Sequence, residues 1–330
     1  MRVSVCLLTY NHERYVAQAI ESVLAQEGVD FELVISEDHS TDGTRAIVDG
    51  YAARHPDRIR VLTSGANVGM TRAFARGLEA ARGTYVALLD GDDYWTSPHK
   101  LRLQTEYLDA HPECAICFHN VTVVYEDGSV APHPFYGAGP GRHFSRPVPK
   151  PVSTLADVAP GNFMQTCSVM FRRGLFGDLP EWFTDLAVAD WPLHVLNAEH
   201  GDIGYIDADM AVYRVHAGGV WAGSLAHYRK RNSVDGLVRI YRLLDRHLGG
   251  RFAPEFERRT RSLYLDAARA GYADGRTRDA LHWSRAYLSR LPWRGRLWPR
   301  ELLRALVRAH RARSARSRAP RGLPPPAGPA

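Results

Sequence analysis

Through the first hundred residues, short apolar runs rich in β-branched side chains alternate with amphipathic segments. That succession is the mark of βαβ units and a mostly parallel sheet. The spacing predicts strands at 3–8, 31–36, 59–63 and 85–89, and helices at 15–26, 44–55 and 70–81. Within the first helix Val16, Ala19, Ile20, Val23 and Leu24 recur on one face, as a core-facing helix requires. The fourth strand is apolar from end to end, which suits a strand covered on both faces, so it belongs at the centre.

Beyond residue 95 the order loosens. A helix at 100–110 precedes a long strand at 115–125, closed by Glu126-Asp127-Gly128. Residues 131–151 are rich in Gly, Pro and aromatics without periodicity and read as a functional loop. A strand at 167–171, a helix at 191–200 and closing strands at 203–206 and 211–215 follow. Residues 224–288 are helical in pattern, and after 311 the chain turns to Arg/Ser and then Pro/Gly/Ala, which builds no core. The expected division is a catalytic domain at 1–222, a helical C-terminal subdomain at 223–310 and a disordered basic, Pro-rich tail at 311–330.

In an open parallel sheet, ligands bind beyond the carboxyl ends of the strands. The loops at those ends are Thr9-Tyr10-Asn11-His12-Glu13, Glu37-Asp38-His39-Ser40-Thr41-Asp42-Gly43, Asn67-Val68-Gly69 and Asp90-Gly91-Asp92-Asp93. Three aspartates at the end of a central strand repel one another unless a cation sits among them. Mg2+ or Mn2+, held by oxygen ligands with positions open for phosphate, answers that need. A solvated turn in which an aspartate caps a helix is the plainer alternative. Asn67, Gly69 and Arg72 suit a helix start where backbone approaches phosphate and a guanidinium adds charge.

Composition changes this picture at one end only. With 45% hydrophobic residues in 330, the chain can bury a sizeable core. The net charge of +6 is misleading, because ten arginines face one glutamate between 291 and 321, leaving the remainder net acidic. Nucleic acid is therefore not implied. Leu297, Leu302, Leu303, Leu306 and Val307 interleave with Arg296, Arg300, Arg304 and Arg308 after Trp293, a pattern expected of peripheral contact with an anionic membrane. No apolar run reaches the roughly 18 residues of a membrane span, and no signal-peptide pattern opens the chain, so the expected location is cytoplasmic, peripheral on the inner face of the membrane. Cys6, Cys114, Cys117 and Cys167 read as free buried thiols; Cys114-x-x-Cys117 lacks the second pair of a zinc site.

Neither a G-x-x-x-x-G-K-[ST] loop nor a G-x-G-x-x-G after the first strand is present, which sets aside P-loop and dinucleotide-binding readings. The ordered set Val5-Cys6-Leu7-Leu8-Thr9-Tyr10-Asn11, Ile35-Ser36-Glu37-Asp38-His39-Ser40-Thr41-Asp42-Gly43-Thr44, Asn67-Val68-Gly69 and Leu88-Leu89-Asp90-Gly91-Asp92-Asp93 resembles the family 2 glycosyltransferases. The resemblance covers about residues 3–222. It implies a GT-A fold, a Rossmann-like, mostly parallel sheet flanked by helices, here with a C-terminal helical appendage. It further implies transfer of a sugar from a nucleoside diphosphate sugar, a UDP-hexose or UDP-N-acetylhexosamine, to a glycan or lipid-linked acceptor by metal-assisted, inverting displacement.

Carried over residue by residue, the family's nucleoside contacts fall on Thr9, Tyr10, Asn11, Glu13 and Asp38. Its Asp-x-Asp element falls on Asp90, near the ribose, with Gly91 between, and on Asp92, the metal ligand. Val188-Ala189-Asp190-Trp191-Pro192-Leu193 resembles the family's Glu-Asp-Trp-x-Leu element, in which the aspartate is the base. Ala189 stands where glutamate is common, which removes an accessory carboxylate. Read without the family, Asp190 is equally a helix N-cap. Tyr213-Arg214-Val215-His216-Ala217-Gly218-Gly219 resembles the closing segment, whose histidine reaches the metal or the diphosphate; here it is His216. Two rivals remain. A nucleotidyltransferase would carry a glycine-rich basic phosphate loop near the first strand, which Thr9 to Glu13 lacks, and a non-catalytic sugar-nucleotide or glycan-binding scaffold would not need Asp90, Asp92, Asp190 and His216 together.

Overall fold

The four apolar runs of the N-terminal half form the parallel strands β1 (Val3–Thr9), β2 (Phe31–Glu37), β3 (Ile59–Thr63) and β4 (Tyr85–Asp90). The computed structural model describes residues 1–137, 146–219 and 231–291. The basic segment at 296–308 and the tail at 311–330 lie outside the described residues. Helices α1 (Val16–Leu24), α2 (Thr44–Arg54) and α3 (Met70–Ala80) follow β1, β2 and β3. In α1 the residues on the expected face, Val16, Ala19, Ile20 and Val23, are buried. Residues Tyr85 to Leu89 of β4 are at most 1% exposed. Each large apolar side chain there contributes about 1.5–3 kcal/mol through burial.

Register aligns the strand ends. Val3 lies opposite Phe31 and Tyr85, Thr9 opposite Glu37 and Leu8 opposite Asp90. The loops after β1, β2 and β4 therefore leave the sheet along one edge. At the other edge a buried carboxylate is fully engaged: Ser4 Oγ donates to Glu32 Oε1 at 2.6 Å, the Arg82 N–H donates to the same oxygen at 3.0 Å, and Arg60 pairs with Glu32 Oε2 at 3.2 Å. A Cβ on Gly83 would sit 2.5 Å from the Ser4 nitrogen, so only glycine permits this approach.

The second half extends the sheet with β5 (Tyr94–Trp95), β6 (Cys114–Tyr125), β7 (His133–Pro134), β8 (Val152–Ser153), β9 (Met170–Arg172) and β10 (Asp202–Val215), and adds α4 (Lys100–Ala110), α5 (Leu155–Val158) and α6 (Asp190–Ala198). The order is β3-β2-β1-β4-β9-β6-β10-β5, with β7 on β6 and β8 on β10. Strand β9 runs antiparallel to both β4 and β6 and joins the two halves. Beneath β5, Lys100 is buried, 4.1 Å above the Trp95 ring, and donates to Gln104 Oε1 at 2.6 Å. Burial pushes its pKa down to about 7.

Three expectations need correction. The strand expected at 167–171 is a 3-10 turn, Thr166–Ser168, followed by β9. Trp95 Nε1 donates to the Cys167 carbonyl at 2.9 Å and Gln104 Nε2 to the Ser168 carbonyl at 2.8 Å, taking acceptors that a strand would offer its neighbours. The strands expected at 203–206 and 211–215 are one strand, β10, whose register shifts between Ile206 and Asp209 and between Asp209 and Val212 absorb the polar break. Asp190 is the first residue of α6 and Ala189 holds the cap position, without a side-chain cap bond.

Of the described residues, those up to 219 with Arg242–Phe252 form one compact unit, and those of 231–241 and 253–291 form another. The second consists of the start of α7 (Arg231–His247) with α8 (Ala253–Ala273) and α9 (Thr277–Ser289). Val234, Val238, Tyr264, Ala267, Ala268, Trp283 and Tyr287 form its core, with Tyr264 and Trp283 stacked at 5.6 Å. Among the described residues no helix is long and apolar enough to cross a membrane.

Candidate active site

A cleft of about 400 Å³ opens at the carboxyl ends of β1, β2 and β4, lined by Tyr10, His12, Asp38, Asn67, Gly69, Asp90, Asp92, Gln165, Thr166, Asp190, Arg214 and His216 among others. Its walls come from loops far apart in sequence. Hydrogen bonds between loops fix them.

The loops after β1 and β2 clasp each other. Asn11, in the left-handed region at φ 55°, donates its N–H to Ser40 Oγ at 3.0 Å and accepts the Thr41 N–H on Oδ1 at 2.8 Å. The Glu13 carboxylate accepts the Gly43 N–H at 3.0 Å. Asn11 and Glu13 thus shape the loops and do not line the cleft. Asp38 does line it, at 1% exposure, yet its two oxygens accept the N–H groups of Val68 and Gly69, each at 2.9 Å, and Asn67 Nδ2 donates to its carbonyl at 3.1 Å. Gly69, at φ 89°, makes that approach possible.

The turn after β4 is the acidic end. Gly91 donates to the Leu8 carbonyl at 2.8 Å, and a Cβ there would meet Thr9 Oγ1 at 2.7 Å and His12 Nδ1 at 2.8 Å. Both atoms are buried without a hydrogen-bond partner. Burial pushes the Asp90 pKa up to about 8, reinforced by the charges of Asp92 and Asp190. Burial raises Asp93 as well, although one of its oxygens accepts the Arg214 N–H at 2.9 Å. For Asp92 burial also pushes upward, but the hydrogen bond from His216 and the charges of His12 and His216 outweigh it and hold the carboxyl below its ordinary value. His216 Nε2 lies 3.0 Å from Asp92 Oδ2 and His12 Nε2 lies 3.7 Å from the same oxygen. Among the described residues no three such side chains close into a complete metal cage.

Across the cleft, Asp190 is raised by burial, opposed by the Trp191 N–H and by Asn162. Arg72 points elsewhere, largely exposed and 3.4 Å from Asp185. The arginine that lines the cleft is Arg214, whose guanidinium donates to the Asp92 carbonyl at 2.7 Å and to Gln18 Oε1 and lies 4.6 Å above the Tyr94 ring. Of the expected residues, then, Tyr10, Asp38, Asn67, Gly69, Asp90, Asp92, Asp190 and His216 line the cleft, while Thr9, Asn11, Glu13, Gly91 and Arg72 do not. His12 and Arg214 are additions. The signal for Arg214 was its place near His216 in the closing segment Tyr213 to Gly219. The signal for His12 was its place in the loop after β1. Val220 and Trp221 of the closing segment lie outside the described residues.

A family model described as Glycosyl transferase family 2 matches residues 4–179. An uncharacterized protein of Mycobacterium tuberculosis is 39% identical over 236 residues, 69% of this chain and 63% of its own length. The chain thus spans under two thirds of that relative. A succinoglycan biosynthesis protein of Rhizobium meliloti, ExoO, is 40% identical over 126 residues, 38% of this chain and 35% of its own. Among solved structures, S. aureus TarS in complex with UDP-GlcNAc has a TM-score of 0.52 at 18% identity, covering 96% of this chain and 92% of that one. A mannosyltransferase from Pyrobaculum calidifontis in complex with GDP-Man and Mn2+ has a TM-score of 0.53 at 19% identity, covering 95% and 87%. These likenesses show the GT-A fold.

Proposed function

The chain belongs to glycosyl transferase family 2, and on that premise we propose that it transfers a sugar from a UDP-hexose or UDP-N-acetylhexosamine to a glycan or lipid-linked acceptor with inversion at the anomeric carbon. One observation carries the reading. Asp90, Asp92, Asp190 and His216, from three separate stretches of chain, line a single cleft whose remaining wall includes Tyr10, Asp38 and Asn67. The sugar nucleotides bound by the two structural neighbours favour a nucleotide-sugar donor, and the relative named for succinoglycan biosynthesis favours a glycan acceptor.

A divalent ion, Mg2+ or Mn2+, fits the acidic end. Asp92 Oδ2 and His216 Nε2 offer oxygen and nitrogen donors at adjacent positions, and the buried carboxyls of Asp90 and Asp93, raised toward their protonated forms by burial and by nearby acidic charge, stand beside them. Asp92 and His216 would hold the ion, with His12 beside them. When bound, it supplies positive charge to the leaving diphosphate. Arg214, whose guanidinium is fixed on the Asp92 carbonyl, adds positive charge beside that aspartate. Asp190 takes the proton of the acceptor hydroxyl, whose oxygen bonds to the anomeric carbon as the bond from that carbon to the diphosphate oxygen breaks. Tyr10, Asp38, Asn67, Gly69 and Asp90 face the nucleotide, and Thr9, Asn11, Glu13 and Gly91 hold the loops that present them.

On the same reading residues 1–222 are the catalytic domain, 223–310 a helical subdomain and 311–330 a basic tail. The arginine-rich composition from 294 to 321 favours peripheral contact with anionic lipid on the cytoplasmic side. The test of donor and metal is a thermal-shift panel of nucleotide sugars with and without MnCl2. A manganese-dependent shift from one nucleotide class, lost in Asp92→Ala, is the expected result; no metal-dependent shift from any nucleotide overturns the assignment.

A further inference from the structure

We propose that Asn162 is a positioning residue that fixes the Asp190 carboxylate, and that Tyr136 holds Asn162 in place from β6; the proposal rests on Asp190 being the base. Asn162 Nδ2 donates to Asp190 Oδ2 at 2.8 Å, and Asn162 Oδ1 accepts the Met164 N–H at 2.9 Å. The second bond decides the first. With its oxygen committed to an N–H donor, the amide can present only its NH2 end to Asp190, and a carboxylate can only accept.

Asp190 needs such a partner because of where it stands. It is the first residue of α6; its carboxylate accepts the Trp191 N–H from the helix start, and Asn162 meets it from outside the helix. The helix start is itself pinned, since Trp191 Nε1 donates to the Val158 carbonyl at 2.9 Å. That bond fixes the backbone, and Asn162 is the side-chain donor that, together with the Trp191 N–H, sets the rotation of the carboxylate. A hydrogen bond to an ionised acceptor is worth about 1.5–3 kcal/mol, enough to select one rotamer.

Asn162 is anchored through its neighbour. The Tyr136 hydroxyl donates to the Phe163 carbonyl. Tyr136 is tied to β6 on both backbone groups: its N–H donates to Asn120 Oδ1 at 2.9 Å and its carbonyl accepts from Asn120 Nδ2 at 3.2 Å. The rings of Phe118, Phe163 and Tyr136 close around this tie, with centroids 5.5 Å apart for Phe118 and Phe163 and 6.0 Å for Phe118 and Tyr136. The aromatic part of the aperiodic loop therefore reaches the cleft by four steps: Asn120, Tyr136, the Phe163 backbone and Asn162.

The experiment has one arm that needs no substrate. Crystal structures of Asn162→Ala and Asn162→Asp are compared with the wild type at a pH where carboxylates are ionised; the aspartate variant keeps the acceptor for the Met164 N–H and puts a repelling carboxylate in place of the donor. The Asp190 carboxylate is expected to move by about 1 Å or to turn in both, a displacement that costs on the order of 100-fold in rate. A carboxylate unmoved in both variants overturns the proposal. In the kinetic arm, nucleoside diphosphate release is followed with MnCl2 and the nucleotide sugar giving the largest thermal shift. Asn162→Ala should lose about 100-fold in kcat at unchanged donor KM, Tyr136→Phe a smaller factor, and Asn162→Ala should cost nothing further in an Asp190→Asn background. Additive losses overturn it, as does wild-type turnover by Asn162→Ala beside an inactive Asp190→Asn. Wild-type turnover by Asp190→Asn removes the base assignment itself, a distinct result.

Discussion

One sheet buries carboxylates at both of its ends, under opposite conditions. At the amino ends of the strands, Glu32 is 5% exposed and meets the Ser4 hydroxyl, the Arg82 N–H and the Arg60 guanidinium. At the carboxyl ends, Asp90 and Asp93 are pushed upward by burial and by the charge of Asp92 between them, while Thr9 Oγ1 and His12 Nδ1 lie buried without partners. In the first arrangement the carboxylate is fully engaged by the protein, although Arg60 Nε beside it has no partner. In the second the carboxyls crowd one another and are raised toward their protonated forms, and a buried polar group without a partner, such as Thr9 Oγ1, costs about 1–3 kcal/mol. The engaged carboxylate and the candidate site thus lie at opposite edges of the same strands.

The sharpest way to test that division is to separate chemistry from binding. Asp190→Asn should lower kcat about 1,000-fold or more while leaving the dissociation constant for nucleoside diphosphate and Mn2+ unchanged by calorimetry. Retained turnover would remove Asp190 from the mechanism. At the opposite edge, Glu32→Ala leaves Arg60 with the Ala80 carbonyl alone and the Ser4 hydroxyl and Arg82 N–H without their acceptor, and should lower the unfolding free energy by about 2 kcal/mol in urea titration, with nucleotide affinity intact in the folded fraction. A loss of affinity without a loss of stability would reverse the roles of the two edges.

The sequence reading reached the sheet because its signal is local. In β1 to β4 the apolar runs and their spacing are set by burial on both faces, and the structure places each within a residue of its expected ends. It reached the acidic turn for the same reason, since Asp90, Asp92 and Asp93 are adjacent. What it missed depended on partners distant in sequence. Nothing near residue 167 announces that Trp95 and Gln104 will take two carbonyls and turn the chain, and the polar Asp207 to Asp209 step reads as a break although β10 passes through it by shifting register. Asn11 and Glu13 illustrate the converse. Their polar side chains suggested ligand contacts, and the structure uses them to join two loops.

Two smaller effects refine the comparison at the acidic edge. In the wild type, nucleoside diphosphate with Mn2+ at about a hundred times its dissociation constant should raise stability by about 2.7 kcal/mol. Chelation with EDTA, or Asp92→Ala, should remove the metal-dependent part of that gain. Asp90→Asn relieves one buried carboxylate of its two acidic neighbours and should raise the melting temperature of the metal-free protein by about 2 °C, at the expense of donor binding. A lower melting temperature would mean that Asp90 is satisfied within the protein, like Glu32, and the contrast between the edges would fail there.

The smallest effect is expected at Arg72, and it discriminates between two cations. The sequence placed a guanidinium at the start of α3, near phosphate, and that reading named Arg72. The structure leaves its side chain 61% exposed, 3.4 Å from an Asp185 carboxylate that is itself 47% exposed. A surface pair of that kind contributes about 0–1 kcal/mol. Arg214 instead lines the cleft, with its backbone on Asp93, its guanidinium on the Asp92 carbonyl and the Tyr94 ring beneath. Arg72→Ala should therefore change nucleoside diphosphate affinity by less than about twofold, and Arg214→Lys, which keeps the charge but loses the planar fork, should weaken it by more. A loss of about tenfold or greater in Arg72→Ala, with Arg214→Lys unaffected, would require the loop after β3 to swing Arg72 onto the diphosphate when donor binds. Asp38, which ties that loop through the Val68 and Gly69 amides, would then be its latch, and freeing it would become part of the binding step.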